Sequence, residues 1–237
     1  MANDVIIILP TYNEAANISG IIKELDKYVS HTDILVVDDN SPDGTSGIVT
    51  ALMEEHPQLG LYRRAGKEGL GKAYVDAFIR VLTAQKYNWL LMMDSDFSHD
   101  PKYIPEMIRL TKTGKYDVIV GSRYTAGGRT EGWEWWRKVL SKFGNLYCRL
   151  ITHLPINDCT GGFNLIRTEI LSQISFNSFD LSGYAFIMEL KYKLFKAGAR
   201  FKEVPILFKN RRGGESKLSN HIIGEGVIAP WKMIIKK

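Results

Sequence analysis

The sequence predicts an α/β domain built on a mostly parallel sheet with helices on both faces. Three observations carry that reading. Short apolar runs of strand length alternate with stretches whose apolar residues recur at helical spacing. The runs are continuous rather than alternating, as in strands buried on both faces. Two of them end at acidic residues: 34–37 at Asp38-Asp39, and 89–93 at Asp94-Ser95-Asp96. In such sheets ligands bind outside the carboxyl ends of the strands.

The elements follow in order. Residues 5–9 (Val-Ile-Ile-Ile-Leu) read as the first strand, and 10–14 as a turn. Ile18, Ile21, Ile22 and Leu25 share one helical face. Residues 34–37 are the second strand, 46–55 a helix, and 60–63 a weaker third strand. Ala73, Ala77, Phe78 and Val81 line one face of a helix over 71–85. Residues 89–93 are the fourth strand. A helix over 101–112 turns Ile104, Met107 and Ile108 inward, and 118–120 form the fifth strand. Beyond it the pattern loosens. We expect an amphipathic helix over 133–151, a strand over 163–166, a helix over 184–196 and an extended 201–208, where Pro205 marks a sheet edge. Residues 211–217 read as a loop, and Pro230 as a break in the last apolar segment. Residues 1–219 are taken as one domain, including an interfacial helix near 133–151, and 220–237 as an amphipathic C-terminal segment.

Composition narrows the classes. At 45% hydrophobic and 24% charged residues over 237 positions, the chain is globular rather than disordered. A net charge of +5 suits an anionic partner such as a phosphate or an anionic membrane. No nucleic-acid partner is expected. Cys148 and Cys159 have no zinc or disulfide-framework spacing, so a reducing compartment is expected. The N-terminus shows no signal peptide, and no run reaches the ~20 apolar residues a spanning helix needs. The expected location is cytoplasmic, peripheral at the cytoplasmic face of a membrane.

Two carboxylates one residue apart at a strand end, Asp94 and Asp96, suit Mg²⁺ or Mn²⁺ held together with substrate phosphates. The residues alone leave two alternatives open: Asp96 and Ser98 cap the next helix, or an Asp is a phosphatase-type nucleophile. Gly66-Lys67-Glu68-Gly69-Leu70-Gly71-Lys72-Ala73 resembles a P-loop, but Ala73 replaces the Ser or Thr that binds Mg²⁺. A lid or a backbone turn near a substrate phosphate is expected there instead. Arg123, at the fifth strand's carboxyl end, is placed for a bidentate phosphate contact, unlike a merely solvated Arg. His99 lies beside the carboxylates, where a local hydrogen bond explains it as well as catalysis does.

Trp133, Trp135 and Trp136 adjoin Arg137, Lys138 and Lys142. Aromatic and basic residues together favour the membrane–water interface. The other reading is a core helix with Leu140, Phe143, Leu146 and Tyr147 packed inward. Ile222, Ile223, Val227, Ile228, Trp231, Met233, Ile234 and Ile235 make the C-terminal segment a second interfacial helix, a docking face for a membrane partner, or a core helix.

Taken together the motifs resemble the dolichol-phosphate (polyprenol-phosphate) mannosyltransferases of glycosyltransferase family 2. The blocks are Leu9-Pro10-Thr11-Tyr12-Asn13-Glu14, Val37-Asp38-Asp39-Asn40-Ser41-Pro42-Asp43-Gly44-Thr45, Gly69-Leu70-Gly71-Lys72-Ala73 and Met93-Asp94-Ser95-Asp96-Phe97-Ser98-His99. Gly121-Ser122-Arg123-Tyr124, Thr160-Gly161-Gly162-Phe163, Gly183-Tyr184-Ala185-Phe186 and Gly214-Glu215-Ser216-Lys217 continue them in order. The last two favour the mannosyl branch.

The resemblance implies a GT-A fold and inverting transfer of mannose from GDP-mannose to a polyprenyl (dolichyl) phosphate. It implies that Pro10, Tyr12, Glu14, Val37 and Asp39 hold the nucleoside. Asp94, Ser95 and Asp96 would meet the diphosphate, with Asp94, Asp96 and Ser98 as metal ligands. Arg123, Arg137 and Ser141 would hold the acceptor phosphate, and Arg211 and Lys217 would close over the donor. Asp96, Arg123 and Arg137 are the residues expected to carry catalysis. Ile187 departs from the family, which commonly has a polar residue there. Many members carry C-terminal membrane helices. None is expected here, so lipid-facing helices, a membrane-protein partner or an anchor remnant after Pro230 would serve.

Overall fold

The computed structural model describes residues 4–177, 179, 183–210 and 220–235. In chain order it runs β1 (Val5–Thr11), α1 (Ile18–Val29), β2 (Asp33–Asp38), α2 (Thr45–Leu52), β3 (Leu59–Arg63), α3 (Leu70–Ala84) and β4 (Trp89–Met92). A short 3₁₀ turn (Pro101–Tyr103) leads into α4 (Ile104–Thr111), then β5 (Val118–Ser122), β6 (Arg129–Thr130) and α5 (Trp135–Thr152). The last part is β7 (Asn164–Arg167), α6 (Thr168–Leu171), α7 (Gly183–Lys196), β8 (Phe201–Pro205), β9 (Leu207–Phe208) and α8 (Asn220–Ile235).

Seven strands form one sheet in the order β3-β2-β1-β4-β7-β5-β8. The continuous apolar runs lie at its centre because both faces are covered. Along β1, Ile6 and Ile8 face the layer of α3 and α7, where Ala73, Phe78, Phe186 and Leu190 are buried. Ile7 and Leu9 face the other layer, with Ile18, Ile21, Ile22 and Leu25 of α1 and Ile104 and Met107 of α4. Each such side chain, once fully buried, contributes about 1.5–3 kcal/mol. Gly71 belongs to this packing. A Cβ there would sit 3.0 Å from the Phe186 ring, so the glycine lets α3 approach α7. The P-loop-like stretch therefore opens a packed helix, and Lys72 points outward to Glu68 at 2.6 Å.

Two expectations are corrected, and one strand acquires a direction the sequence left open. The strand expected over 163–166 forms β7, but it runs antiparallel to both neighbours, β4 and β5. Pro10 lies within β1 rather than in the turn after it. Pro230 does not break the last segment, because α8 continues through it. A proline removes the N–H that would reach the carbonyl four residues back. The neighbouring Val227 carbonyl accepts from the Tyr147 hydroxyl at 3.0 Å, and Trp231 Nε1 donates to the same hydroxyl at 2.8 Å, which ties the proline turn to α5. Pro205 stands at the sheet edge as expected, on β8, which among the described residues pairs with β5 alone.

Candidate active site

From β1 the sheet grows outward through β2 and β3, then the chain returns to β4 on β1's other side. The crevice at that reversal opens at the strands' carboxyl ends, where α/β sheets bind ligands. Ser95 Oγ bridges it by donating to the Pro10 carbonyl at 3.3 Å.

On the β1–β2 side, Tyr12 carries the Lys67 ammonium over its ring at 3.9 Å. Asp39 is paired with the buried Arg64, which also reaches Asp76 at 2.8 Å and Glu68 at 3.3 Å. Asp38 has a different task. Its buried carboxylate accepts from Thr11 Oγ1 (2.9 Å), Ser41 N (2.9 Å), Ser41 Oγ (2.6 Å) and Ser46 Oγ (2.6 Å). Burial alone would raise its pKa, but these donors together hold it below the usual value. Asp38 thus fixes the loop that presents Asp39. The Val37 side chain is buried in the core.

After β4 the chain makes a tight turn. Asp96 Oδ1 accepts from Ser98 N at 3.0 Å and from Ser98 Oγ at 2.5 Å. The Asp94 N–H donates to His99 Nδ1 at 3.1 Å, which leaves the neutral ring's proton on Nε2. Burial lowers the His99 pKa, favouring that neutral form. Phe97, between the carboxylates and His99, has φ 64°, unusual for a bulky residue. Its ring lies where a Cβ on Gly20 would be, 2.8 Å away, so α1 makes room for this conformation. The helix-cap alternative is overturned: Asp100 caps the 3₁₀ turn, accepting from Lys102 N at 3.1 Å.

The opposite wall begins at Arg123, after β5. Its guanidinium binds the fully buried Asp158 through Nε at 2.8 Å and Nη2 at 2.7 Å, and Nη2 also reaches Thr160 Oγ1 at 2.8 Å. Burial would raise the Asp158 pKa, but Arg123 and Lys191 bring it down to about 2. Pairing of β6 with β9 brings Trp133 edge-on to Phe208 at 5.5 Å. The Trp133 ring then faces Arg137 at 4.3 Å and Arg123 at 5.6 Å. Arg137 Nε is buried with no hydrogen-bond partner among the described residues. Ser141 Oγ accepts from the Tyr124 hydroxyl at 2.6 Å.

A cavity of about 420 Å³ joins the turn after β4 to the Arg123 wall. Asp94, Asp96, Ser98 and His99 line one end, Arg123, Trp133, Arg137 and Ser141 the middle, and Leu140, Phe143, Tyr147, Met188 and Val227 the other end. That last end lies between α5, α7 and α8. α5 is inverted relative to an ordinary surface helix. It buries Asn145, Cys148 and Thr152, and exposes Trp135, Trp136, Val139, Phe143, Leu146 and Leu150. The core reading of this helix is therefore overturned. Trp133 is also corrected, since it precedes α5 and is buried under the two arginines.

The structure brings Asp94, Asp96, Ser98, Arg123, Arg137 and Ser141 to one cavity, as the motifs imply. Pro10, Tyr12, Glu14 and Asp39 lie at the adjoining strand ends. Arg211 and Lys217 lie outside the described residues. Sequence reasoning missed Arg64, Asn145, Asp158 and Lys191. Arg64 had a signal, because it follows β3 as Asp39 follows β2. Asp158 had one too, as a lone carboxylate before a Gly-Gly turn.

Carboxylates and arginines facing one another across a strand-end crevice of this topology define a nucleotide-sugar transferase with the GT-A fold. The chain belongs to glycosyl transferase family 2, whose model matches residues 6–175. It is 37% identical to an undecaprenyl-phosphate mannosyltransferase from Micrococcus luteus, over 94% of this chain and 91% of that protein. It is also 37% identical to a polyprenol monophosphomannose synthase from Mycolicibacterium smegmatis, over 95% of this chain and 86% of that protein. The resemblance read from the motifs is borne out. Among solved structures it matches a mannosyltransferase from Pyrobaculum calidifontis in complex with GDP-Man and Mn²⁺, with TM-score 0.68 and 16% identity. That match covers all of this chain and 65% of the other. A glucosyl-3-phosphoglycerate synthase from Mycobacterium tuberculosis, bound to Mn²⁺, UDP and its product, gives TM-score 0.68 at 18% identity, covering 97% and 78%. At these identities the structures establish the fold.

Proposed function

We propose that this protein transfers mannose from GDP-mannose to a polyprenyl phosphate at a membrane surface, with inversion at the anomeric carbon. The observation that carries the proposal is one continuous cavity. It runs from the Asp94–Asp96 carboxylates past Arg123 and Arg137 to the apolar ends of α5 and α8. That order matches a diphosphate, a second phosphate and a hydrocarbon chain. The two relatives named for polyprenyl-phosphate mannosyl chemistry support it.

The donor's nucleoside would lie over the ends of β1 and β2, with Tyr12 and Asp39. Asp94, Asp96 and Ser98 offer hard oxygen donors, which fit Mg²⁺ or Mn²⁺ shared with a diphosphate. Such an ion would neutralise the leaving diphosphate. Arg137, with its unpartnered Nε, and Arg123 would hold the acceptor phosphate near the donor. Orienting two mutually repelling anions is the principal task. An acceptor phosphate oxygen forms the new bond to the anomeric carbon as the bond to GDP breaks, and GDP leaves with the electron pair. The nucleophile is already anionic, so no strong base is required.

The membrane contact rests on exposure. Among the described residues, every exposed large apolar side chain except those of Met53 and Ile79 lies on α5 or α8, including Trp135, Trp136 and Trp231. Lys138, Lys142 and Arg149 flank the α5 face. Basic residues near an anionic surface contribute about 1 kcal/mol each. No described helix is long and apolar enough to cross a membrane; on the proposed reading the exposed faces of α5 and α8 make a peripheral contact at the cytoplasmic face. A membrane-protein partner could share the same apolar faces.

The test is transfer of labelled sugar to a short polyprenyl phosphate from GDP-mannose or UDP-glucose, with and without chelator. We expect lipid-extractable mannose, lost on chelation and restored by Mg²⁺ or Mn²⁺. Transfer from UDP-glucose alone would overturn the sugar, and undiminished transfer in chelator would overturn the metal.

A further inference from the structure

Lys191 on α7 is 1% exposed. An ammonium in such a place is costly unless it is paired and hydrogen-bonded. Its Nζ donates to the Asp158 carbonyl at 2.8 Å and to the Gly161 carbonyl at 2.9 Å. These two carbonyls bracket the turn that brings Thr160, Gly161 and Gly162 to the cavity wall. The Asp158 carboxylate of the same turn receives Arg123 N, Nε and Nη2 and the Gly161 N–H. Arg123 lines the cavity and Lys191 does not.

This arrangement bears on charge as well as shape. A guanidinium held bidentately by one carboxylate forms a nearly neutral pair, with little field left for a further anion. Lys191 makes no ion pair with that carboxylate but acts on it through its charge; with the Glu203 carboxylate counted, the Arg123, Lys191, Asp158 and Glu203 cluster is neutral, and loss of the ammonium would leave it net negative. In a poorly solvated site such a charge acts more strongly than at a surface. The other groups around the ammonium are the thiols of Cys159 and Cys148 and the Glu203 carboxylate. Glu203 accepts from the Asn157 and Asp158 N–H groups. Burial pulls the Lys191 pKa down to about 8, against the pull of Asp158, so the group remains charged at neutral pH.

We propose that Lys191 is a positioning residue for the acceptor phosphate: it pins the 158–161 turn and offsets the carboxylates of Asp158 and Glu203 that would otherwise leave the Arg123 surroundings net negative. The inference rests on reading this end of the cavity as the polyprenyl-phosphate site. It is tested with Lys191→Met, which removes both charge and donors, and Lys191→Gln, which keeps donors without charge. We expect Lys191→Met to raise the acceptor KM about tenfold, with GDP-mannose Kd within about twofold of wild type. Lys191→Gln should raise it by a smaller factor. Wild type is expected to show a rise in acceptor KM above pH of about 8, and Lys191→Gln should lack that rise. Unchanged acceptor KM in both variants, or equal losses of acceptor and donor binding, would overturn the proposal. If Lys191→Met does not fold, Lys191→Gln decides on the same readouts. A wild type that binds GDP-mannose but transfers no mannose refutes the functional reading. A wild type that transfers it, with variants indistinguishable from it, refutes only the role of Lys191.

Discussion

The two ends of the cavity are built in opposite ways. At the donor side, side chains stand on strand termini sunk in the core, and bonds within each loop (Asp38 to Ser41 and Ser46, Asp96 to Ser98) are joined by bonds between adjacent strand ends (Thr11 to Asp38, Arg64 to Asp39, Ser95 to Pro10). At the acceptor end, the wall comes from elements distant in sequence. Asn145 of α5 accepts from the Cys159 and Thr160 N–H groups, Lys191 of α7 holds the same turn, and Arg123 closes on it from β5. Beyond them the helices leave apolar faces bare. The donor end resembles an ordinary water-facing nucleotide site. On the proposed reading, the acceptor end lies beside the exposed apolar faces of α5 and α8, where a lipid would rest.

Substitutions at each end should therefore fail differently. Asp96→Ala should give the largest effect, a loss of transfer on the order of 10²–10³-fold or more, with the melting temperature little changed because Asp96 is only partly buried. Full activity in this variant would remove the carboxylates from the chemistry. Arg137→Ala should raise the acceptor KM by about ten- to a hundredfold while leaving GDP-mannose affinity nearly intact. An equal loss of both would mean that Arg137 serves only to pack on Trp133, and the division between the ends would collapse.

The same contrast explains what could be read from sequence. The donor end is legible because its residues are contiguous: an apolar run fixes a strand, and the acidic residues after it must lie at that strand's carboxyl end. The sheet itself was readable for the same reason. The antiparallel direction of β7 was not, because a four-residue apolar run looks alike in either direction. The acceptor end is held by pairs 15 to 35 residues apart, such as Asn145–Thr160 and Arg123–Asp158, and spacing cannot reveal these. Lys191 left no trace, since a lysine in a helix ordinarily reads as a solvated residue. Pro230 misled for a physical reason. The rule that proline breaks helices assumes an isolated helix, whereas Tyr147 and Trp231 bond across to stabilise this one.

A smaller effect tests the bare faces. Trp135 is 77% exposed and Trp136 49% exposed, so replacing both with Ser removes little folded-state packing. Co-sedimentation with anionic liposomes should fall severalfold, while transfer to a water-soluble short-chain acceptor should stay near wild type. Unchanged co-sedimentation would assign the α5 face to a protein partner instead of a bilayer.

The smallest expected effect separates the ends by pH. Asp38 and Asp158 both have pKa values held below the usual carboxylate value, Asp158 at about 2. Each contributes stability that is present above about pH 4 and is lost as the pH falls through the folded value, so acid should weaken both ends alike. Lys191 works in the other direction. Its pKa falls from 10.5 unfolded to about 8 folded, so between those values the unfolded chain binds more protons than the native one. Stability from this group therefore rises with pH across that window. Thermal unfolding of wild type should show a gain between pH 8 and 10 that Lys191→Gln lacks, while acceptor affinity falls over the same range and GDP-mannose affinity does not. A protein that becomes more stable as it binds its acceptor less well would be keeping a buried charge at the expense of its fold. If stability and acceptor affinity fall together in that window, Lys191 acts as a structural cation alone, and the acceptor end owes its charge to the arginines.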